Sequence, residues 1–258
     1  MAADNTLQKI ADNLLAQFDK ILLDNSTDFS SCDQILNTAP SEHKGGLESL
    51  YCDLLLDALI SGYYRYSEMD TKQLIVDPLY AKFKKMVCEL DKSDPCNLLY
   101  YAIIDLVSGK KENVLQYLSA YDNALTLASF AVMLEDGDSI RPLFKRFHTV
   151  FAGDKLLSGM QTYIETGIAT WNGDYRFPSP YAGLDAVISA SGNVAKEKAL
   201  LTYLDGWYAQ CNDLAWYNTV NSSSDVYFGY WSFESAAVAK IFDLNGRVLS
   251  QNPYFPVI

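Results

Sequence analysis

The chain has 258 residues, of which 49% are apolar and 13% aromatic, so it can bury a sizeable core and is not of the disordered class. Its net charge of −12 disfavours nucleic acid and anionic membranes as partners and favours a basic one. The acidity is uneven, because residues 1–144 hold 12 Lys and Arg against 22 Asp and Glu, and residues 145–258 hold 8 against 10. Solubility alone is the competing explanation of such a surface.

The start of the chain has neither the basic nor the apolar region of a secretory signal, and no apolar run approaches the ~20 residues of a membrane-spanning helix. We therefore expect a cytoplasmic protein. The five cysteines are widely spaced, without a CxxC pair, and only two histidines are present. This pattern favours reduced, mostly buried thiols and disfavours a zinc site, so we expect no metal and no cofactor.

The first half of the chain predicts helices joined by polar turns. Helical spacing of apolar residues extends from Asp4 to Leu23, and the polar stretch that follows predicts a loop with one short helical turn. The next helix is predicted from Ser41 to Tyr66, with Asp53 and Asp57 opposite its apolar face. That face comprises four residues: Leu47, Tyr51, Leu54 and Ala58.

Further helices are predicted over residues 70–91, with an interruption at Pro78, and over residues 98–107, 112–120 and 123–134. The acidic turn at residues 135–138 then divides an acidic N-terminal helical region, residues 1–137, from a C-terminal helical region, residues 138–258. Because this turn is short, we expect the two regions to pack together.

The second half predicts helices over residues 140–151, 155–170, 184–190, 194–210 and 232–244, the last stopped by Asn245 and Gly246. No segment alternates polar and apolar residues at period two, so no sheet is expected. About ten helices joined by short loops predict an all-α fold, arranged as an antiparallel helical array or bundle.

Motifs for catalysis are missing from the sequence, which has no HExxH, no GxGxxG, no phosphate-binding GxxxxGK[ST] and no GxSxG. Glu234 is the acid that stands out, because it falls within the apolar arc of the last predicted helix. Backbone N–H groups of the first turn and a nearby Trp or Tyr donor would make it a structural anchor. An acid with a raised pKa in a polar cleft, acting on a small substrate, is the enzymatic alternative. We expect no enzyme.

Nine aromatic residues between positions 207 and 233 form a cluster in the sequence before Glu234. They are predicted to belong to the core, because aromatic side chains bury the most area per residue. A nucleic-acid stacking platform is disfavoured by the scarcity of positive charge around it. The cluster comprises Trp207, Tyr208, Trp216, Tyr217, Tyr227, Phe228, Tyr230, Trp231 and Phe233.

The sequence of residues 227–240, YFGYWSFESAAVAK, together with YLDGWY at 203–208, the Trp-Tyr pair at 216–217 and NPYFP at 252–256, resembles the PoNe immunity protein (PoNi) family. The likeness is strong over residues 150–258 and weaker over residues 1–140. Ser235, where a further alanine is usual, and the ending Val257-Ile258 depart from the pattern and indicate a divergent member.

The resemblance implies an all-α antitoxin that binds a cognate DNase of the PD-(D/E)xK class, a toxin exchanged between competing bacteria, for example by type VI secretion. It brings no catalytic residues. It implies that Trp231 and Phe233 are core residues, that Glu234 is an internal anchor, and that Pro253 and Tyr254 dock the tail. The structural signature that the resemblance gives is Trp207, Gly229, Tyr230, Trp231, Phe233, Glu234, Pro253 and Tyr254.

A nuclease needs a positive DNA-binding cleft, so an acidic inhibitor would gain both steering and complementarity from the charge of the first half. Asp53 and Asp57 are the first candidates for contact with the toxin. The weaker candidates are Asp70, Asp77, Glu89, Asp91 and Asp94. The same acidity and the same missing motifs would also suit a helical scaffold with an unrelated basic protein partner.

Overall fold

The structure, a computed structural model, describes residues 5–24, 26, 28–65, 78, 80–82, 118–135, 141, 151–214, 216–218 and 230–256. Within these ranges it contains ten α-helices and no strand, which confirms the predicted all-α fold. By internal contacts the chain divides into two compact units, residues 1–101 and 102–258. The charge-based division into residues 1–137 and 138–258 is a different one and stays a prediction. None of the described helices is long and apolar enough to cross a membrane.

The first unit contains three helices that pack against one another: α1 (Asn5–Leu23), α2 (Ser30–Thr38) and α3 (Ser41–Arg65). Its aromatic centre joins all three, with the ring centroids of Phe18 and Phe29 6.0 Å apart and that of Tyr51 5.9 Å from Phe18. Aliphatic side chains complete this core. They are Leu14, Ile21, Leu36, Leu47, Leu55 and Ala58.

Two sequence expectations for this unit were wrong. The predicted loop before α3 contains the nine-residue helix α2, because Cys32 and Leu36, one turn apart, both bury their side chains in the shared core. On α3, Leu55 is fully buried and Leu54 only half-buried, because the contact follows the i, i+4 row through Tyr51.

An ion pair fastens the segment at residues 80–82 to this unit. Lys82 Nζ lies 2.6 Å from Asp33 Oδ2 on α2 and 5.6 Å from the centroid of the Tyr51 ring on α3. The Lys82 side chain is 12% exposed, so this contact is shielded from solvent on the lysine side. It neutralises one acid of the first unit.

The second unit contains seven of the described helices: α4 (Leu118–Met133), α5 (Lys155–Thr166), α6 (Pro178–Tyr181), α7 (Asp185–Ser189), α8 (Asn193–Gln210), α9 (Phe233–Ile241) and α10 (Gly246–Leu249). A 3₁₀ turn, Ala182–Leu184, joins α6 to α7. Helix α9 is central, since seven of its nine residues are buried and it packs against both α4 and α8. Its contact with α4 includes the Phe233 ring, whose centroid lies 4.8 Å from that of Phe130.

The predicted helix boundaries of the second unit need several corrections, among them the end of α9, which stops at Ile241 and not at residue 244. Helix α4 runs unbroken through Tyr121 and Asp122, where a break was predicted, because Tyr121 is buried and no glycine or proline interrupts it. Helix α5 ends at Thr166, because Gly167 takes a left-handed conformation with φ 78°. Asn245, predicted only as a stop, also caps α10, its side chain accepting from the Arg247 N–H.

Other predicted helices fall largely on residues that the structure leaves undescribed. Of the predicted helices at 70–91, 98–107, 112–120 and 140–151, the structure describes only residues 78, 80–82, 118–120, 141 and 151, all helical. The remainder of these four predictions lies outside the described residues.

Gly159 on α5 makes room for the Trp171 ring, because a Cβ added there would lie 2.3 Å from Trp171 Cε3. That ring also stacks on Phe242, with centroids 6.0 Å apart. We expect Gly159→Ala to displace the indole and lower the free energy of unfolding by about 1–3 kcal/mol, measured by urea unfolding. Gly46→Ala is the control, because nothing lies within 4 Å of its added Cβ, and it should gain about 0.5–1 kcal/mol. If Gly159→Ala leaves the free energy of unfolding unchanged, the proposed clash with Trp171 is wrong.

Candidate functional site

Glu234 lies in the first turn of α9 and is 6% exposed. Its Oε1 accepts three side-chain hydrogen bonds, from Tyr203 OH at 2.9 Å, Trp207 Nε1 at 2.7 Å and Ser232 Oγ at 2.7 Å. All three donors are neutral. The carboxylate is therefore held by dipoles and not by a salt bridge, and it ties the start of α9 to α8.

Burial raises the pKa of Glu234 to about 7, against the pull of its hydrogen-bond donors, and the charge of Asp122 pushes it in the same direction as burial. The protonated form of this carboxyl group is therefore more favoured near neutral pH than that of an exposed glutamate. A carboxyl group whose pKa lies near neutrality is suited to proton transfer only where a substrate can reach it.

Asp122 on α4 forms a second site of the same kind. Its Oδ1 accepts from Tyr181 OH at 2.7 Å and its Oδ2 from Trp216 Nε1 at 3.0 Å, and burial raises its pKa. The indoles of Trp216 and Trp207 stack with centroids 5.5 Å apart, so the donors of the two carboxyl groups are in contact. Burial, with these acids nearby, also raises the pKa of the Cys211 thiol, which disfavours a reactive thiolate.

Asp154, 1% exposed, connects three parts of the second unit. Its Oδ1 accepts from the Leu157 N–H at 2.8 Å, which caps α5, and from Tyr121 OH of α4 at 3.0 Å. Its Oδ2 accepts from the Arg176 N–H at 3.1 Å in the following loop. Every bond stabilises the fold locally, as expected of a structural carboxylate.

Access to the carboxyl group of Glu234 distinguishes a structural anchor from a proton-transfer acid. Two surface pockets are lined by described residues, one between α4 and α5 that includes Arg141 and one between α1 and α2 that includes Gln17, and neither includes Glu234. The donors of Glu234 are themselves buried. This geometry is that of an anchor. No group of three or more His, Cys, Asp or Glu side chains suited to a metal ion occurs among the described residues.

The signature residues divide by depth. Trp207 and Phe233 are buried, Tyr230, Trp231 and Tyr254 are half-buried, and Pro253 is exposed. Trp231 is thus less buried than a core residue, and the tail docks through Tyr254, whose C=O accepts from the Ser232 N–H at 2.9 Å. Gly229, Tyr227 and Phe228 lie outside the described residues.

The predicted toxin-contacting acids are not described at side-chain level. Asp53 and Asp57 belong to α3, but their side chains lie outside the described residues, as do Asp70, Asp77, Glu89, Asp91 and Asp94 altogether. The first unit has further exposed acids that were not predicted as candidates, although Asp12 and Asp19 lie away from the apolar stripe of α1 in the sequence. These exposed acids are Asp12, Asp19, Asp24, Asp28 and Glu42.

Four tyrosines at the C-terminal end of α8 form a cluster that we call the tyrosine stack: Tyr208, Tyr217, Tyr230 and Tyr254. Tyr208 is its centre, with ring centroids 4.7 Å from Tyr217, 4.7 Å from Tyr230 and 5.6 Å from Tyr254, the last pair nearly parallel at 7°. All four rings are half-buried, whereas the sequence predicted core positions for Tyr208, Tyr217 and Tyr230. Tyr208 lies in the last turn of α8, Tyr217 on the turn that follows it and Tyr230 on the segment before α9, so each lies at or beyond a helix end.

The raised pKa of Glu234 predicts an inverse pH dependence of stability. Since its pKa is about 7 in the folded chain and about 4.5 unfolded, the folded state binds the proton more tightly, and stability rises as the pH falls between these values. Relative to Glu234→Gln, we expect the wild-type free energy of unfolding to gain roughly 2–3 kcal/mol from about pH 8 to about pH 5. Urea unfolding of both proteins tests this, and a pH-independent difference would refute it.

Comparison with known proteins gives two likenesses. Residues 153–257 match the family described as PoNe immunity proteins (PoNi), C-terminal. The fold is similar to the crystal structure of protein PA2201 from Pseudomonas aeruginosa, at 17% sequence identity and a TM-score of 0.56, with 99% of this chain and 86% of that chain covered. No curated protein matches this chain.

Proposed function

We propose that this chain, whose residues 153–257 belong to the C-terminal family of PoNe immunity proteins, neutralises a cognate secreted DNase toxin by direct protein–protein contact. The observation that carries the proposal is this match. It includes α8, α9 and the docked tail, where Trp207, Glu234 and Tyr254 are joined by hydrogen bonds and ring contacts.

Charge supports the nature of the partner. A DNase binds a polyanion and must present a positive cleft, so an acidic inhibitor both speeds the encounter and complements the bound surface. This chain has a net charge of −12, and residues 1–144 carry most of it. Five acids of the first unit are exposed in the described residues, against three exposed lysines, Lys9, Lys20 and Lys44.

The region proposed to face the toxin is therefore the acidic N-terminal region, residues 1–137. Asp53 and Asp57 are its first candidates, because the spacing of α3 sets them apart from the buried row of Leu47, Tyr51 and Leu55 in the sequence. The proposal includes a cytoplasmic site of action and, following the family, a toxin that a rival cell delivers by a route such as type VI secretion.

Action by binding and not by turnover is part of the proposal. Its support is that Glu234, Asp122 and Asp154 each have donors within the fold and bind helices together. A helical scaffold for an unrelated basic protein remains the second candidate, because the charge distribution alone would serve it equally.

Growth rescue tests the proposal. A candidate nuclease toxin, sought among the genes adjacent to that of this chain, is expressed in a susceptible bacterium, alone, with this chain, and with an unrelated acidic helical protein of similar charge. We expect this chain alone to restore growth. Death of the cells in its presence, while the two proteins are both soluble and expressed, would favour the scaffold and contradict the immunity function.

A further inference from the structure

The sequence around the tyrosine stack lacks positive charge. From Ala199 to Ala239 there is no Lys or Arg, while four acids occur: Asp205, Asp213, Asp225 and Glu234. Residues 248–258, which bring Tyr254 to the stack, also contain no Lys or Arg. The described segments that carry the four tyrosines therefore offer a cation no competing positive charge of their own.

Two acids lie close in sequence to residues of the stack, Asp205 three positions before Tyr208 and Asp213 four positions before Tyr217. Asp205 on α8 and Asp213 on the turn after it are both exposed. The turn is held close to α8 by backbone bonds, from the Leu214 N–H to the Cys211 C=O at 2.9 Å and from the Tyr217 N–H to the Leu214 C=O at 3.0 Å. Asp213 and Tyr217 thus both lie on turns that follow α8.

The stack is formed before any partner binds. Besides the ring contacts, the Asn218 N–H donates to Tyr208 OH at 3.2 Å, and Asn252 Nδ2 donates to Asp205 Oδ1 at 3.0 Å. Groups that are already ordered lose little conformational entropy on binding, and tyrosine has few rotatable bonds to fix. Half-exposed rings held in this way are suited to an interface and not only to a core.

We propose that the tyrosine stack, with Asp205 and Asp213, is a docking surface for an arginine-bearing segment of the toxin. A guanidinium group is flat, stacks on aromatic faces and donates to carboxylates at its edge, so it matches the two components of this surface at once. Tyrosine and arginine are also the residues that most often dominate binding energy at interfaces. The inference rests on the proposed function and adds a second contact region, on the family's own C-terminal part.

The test uses the purified candidate nuclease and calorimetric measurement of its Kd for this chain. We expect Tyr217→Ala to weaken binding by about tenfold or more, and Asp213→Asn by about threefold to tenfold. Tyr217→Phe keeps the ring face and should bind nearly as the wild type does.

The matched control is Asp243→Asn. Asp243 is also an exposed acid of the second unit, but its backbone accepts from Asn193 at the opposite end of α8. Asp243→Asn should leave the Kd for the nuclease unchanged. Thermal unfolding of each variant separates a lost contact from a lost fold, and Asp213→Asn, at an exposed position, gives a second measurement if Tyr217→Ala unfolds.

The outcomes separate the inference from the function on which it rests. If the wild-type chain does not bind the nuclease, the proposed function fails and this contact with it. If the wild type binds and folded Tyr217→Ala and Asp213→Asn bind equally well, the contact alone is refuted. A change in oligomeric state of Tyr217→Ala without a change in Kd would also refute it, because a second copy of the chain would then cover the stack.

Discussion

Replacing Asp53 and Asp57 with lysine is expected to weaken binding to the toxin by about tenfold to a hundredfold, mainly through slower association. The two changes together shift the charge of α3 by four units at the region proposed to meet a positive cleft. Surface charges act over about 8–10 Å at physiological ionic strength, so the loss should be largest at low salt. Surface plasmon resonance at several salt concentrations measures both effects.

The control for this charge reversal is the pair Asp174→Lys and Asp243→Lys, which makes the same change of net charge with exposed acids of the second unit. It should slow association much less, because the reversed charges lie outside the proposed region. If the double variant at positions 53 and 57 keeps the wild-type affinity and salt dependence, the assignment of the toxin-binding region to these acids is wrong.

Glu234→Ala is expected to lower the free energy of unfolding by about 3–5 kcal/mol. The substitution removes the acceptor shared by Tyr203, Trp207 and Ser232, and a buried donor left without a partner costs about 1–3 kcal/mol. It also leaves a cavity in a centre packed between α4, α8 and α9. Since a domain of this size is stable by about 5–15 kcal/mol, the variant should lose a large share of that margin.

Two further variants show whether the loss of stability is specific to the three-donor site. Their free energies of unfolding are also measured with urea near pH 7. Glu234→Gln retains an acceptor oxygen and should cost less than about 1.5 kcal/mol. Glu165 is a half-buried helical glutamate whose carboxylate accepts a hydrogen bond from Gln161 Nε2. Glu165→Ala should lower the free energy of unfolding by less than about 1 kcal/mol. Equal losses for Glu234→Ala and Glu165→Ala would show that the three-donor site is not an anchor.

Helical spacing was sufficient to predict the class of fold and, within the described residues, most helix positions. Helix α8 was predicted from residue 194 and begins at Asn193, and α3, predicted over residues 41–66, is described as helical from Ser41 to Arg65. The full length of helix α2 was not predicted, because only Cys32 and Leu36 are buried and the rest of its sequence is polar, as in a loop. Tertiary burial decides such short helices more than local propensity does.

The sequence was sufficient to predict Glu234 as the centre of the candidate site, but not the second carboxyl group, Asp122. The helical wheel identified Glu234 as an acid on an apolar face, and the nearby tryptophans and tyrosines suggested its donors. Nothing in the sequence indicated that Asp122, 112 positions earlier, would have an indole donor in contact with that of Glu234, because the pairing depends on how α4 packs near α8 and the turn after it. It also offered no way to tell half-exposed rings of the tyrosine stack from core rings, since both have the same composition.

Neutralisation of the toxin can be measured as inhibition of DNA cleavage. The purified candidate nuclease is incubated with plasmid DNA while this chain is added in increasing amounts. We expect cleavage to fall in proportion to the chain added and to stop at saturation, without modification of the nuclease or the DNA. Undiminished cleavage in the presence of a large excess of the folded chain would contradict the account.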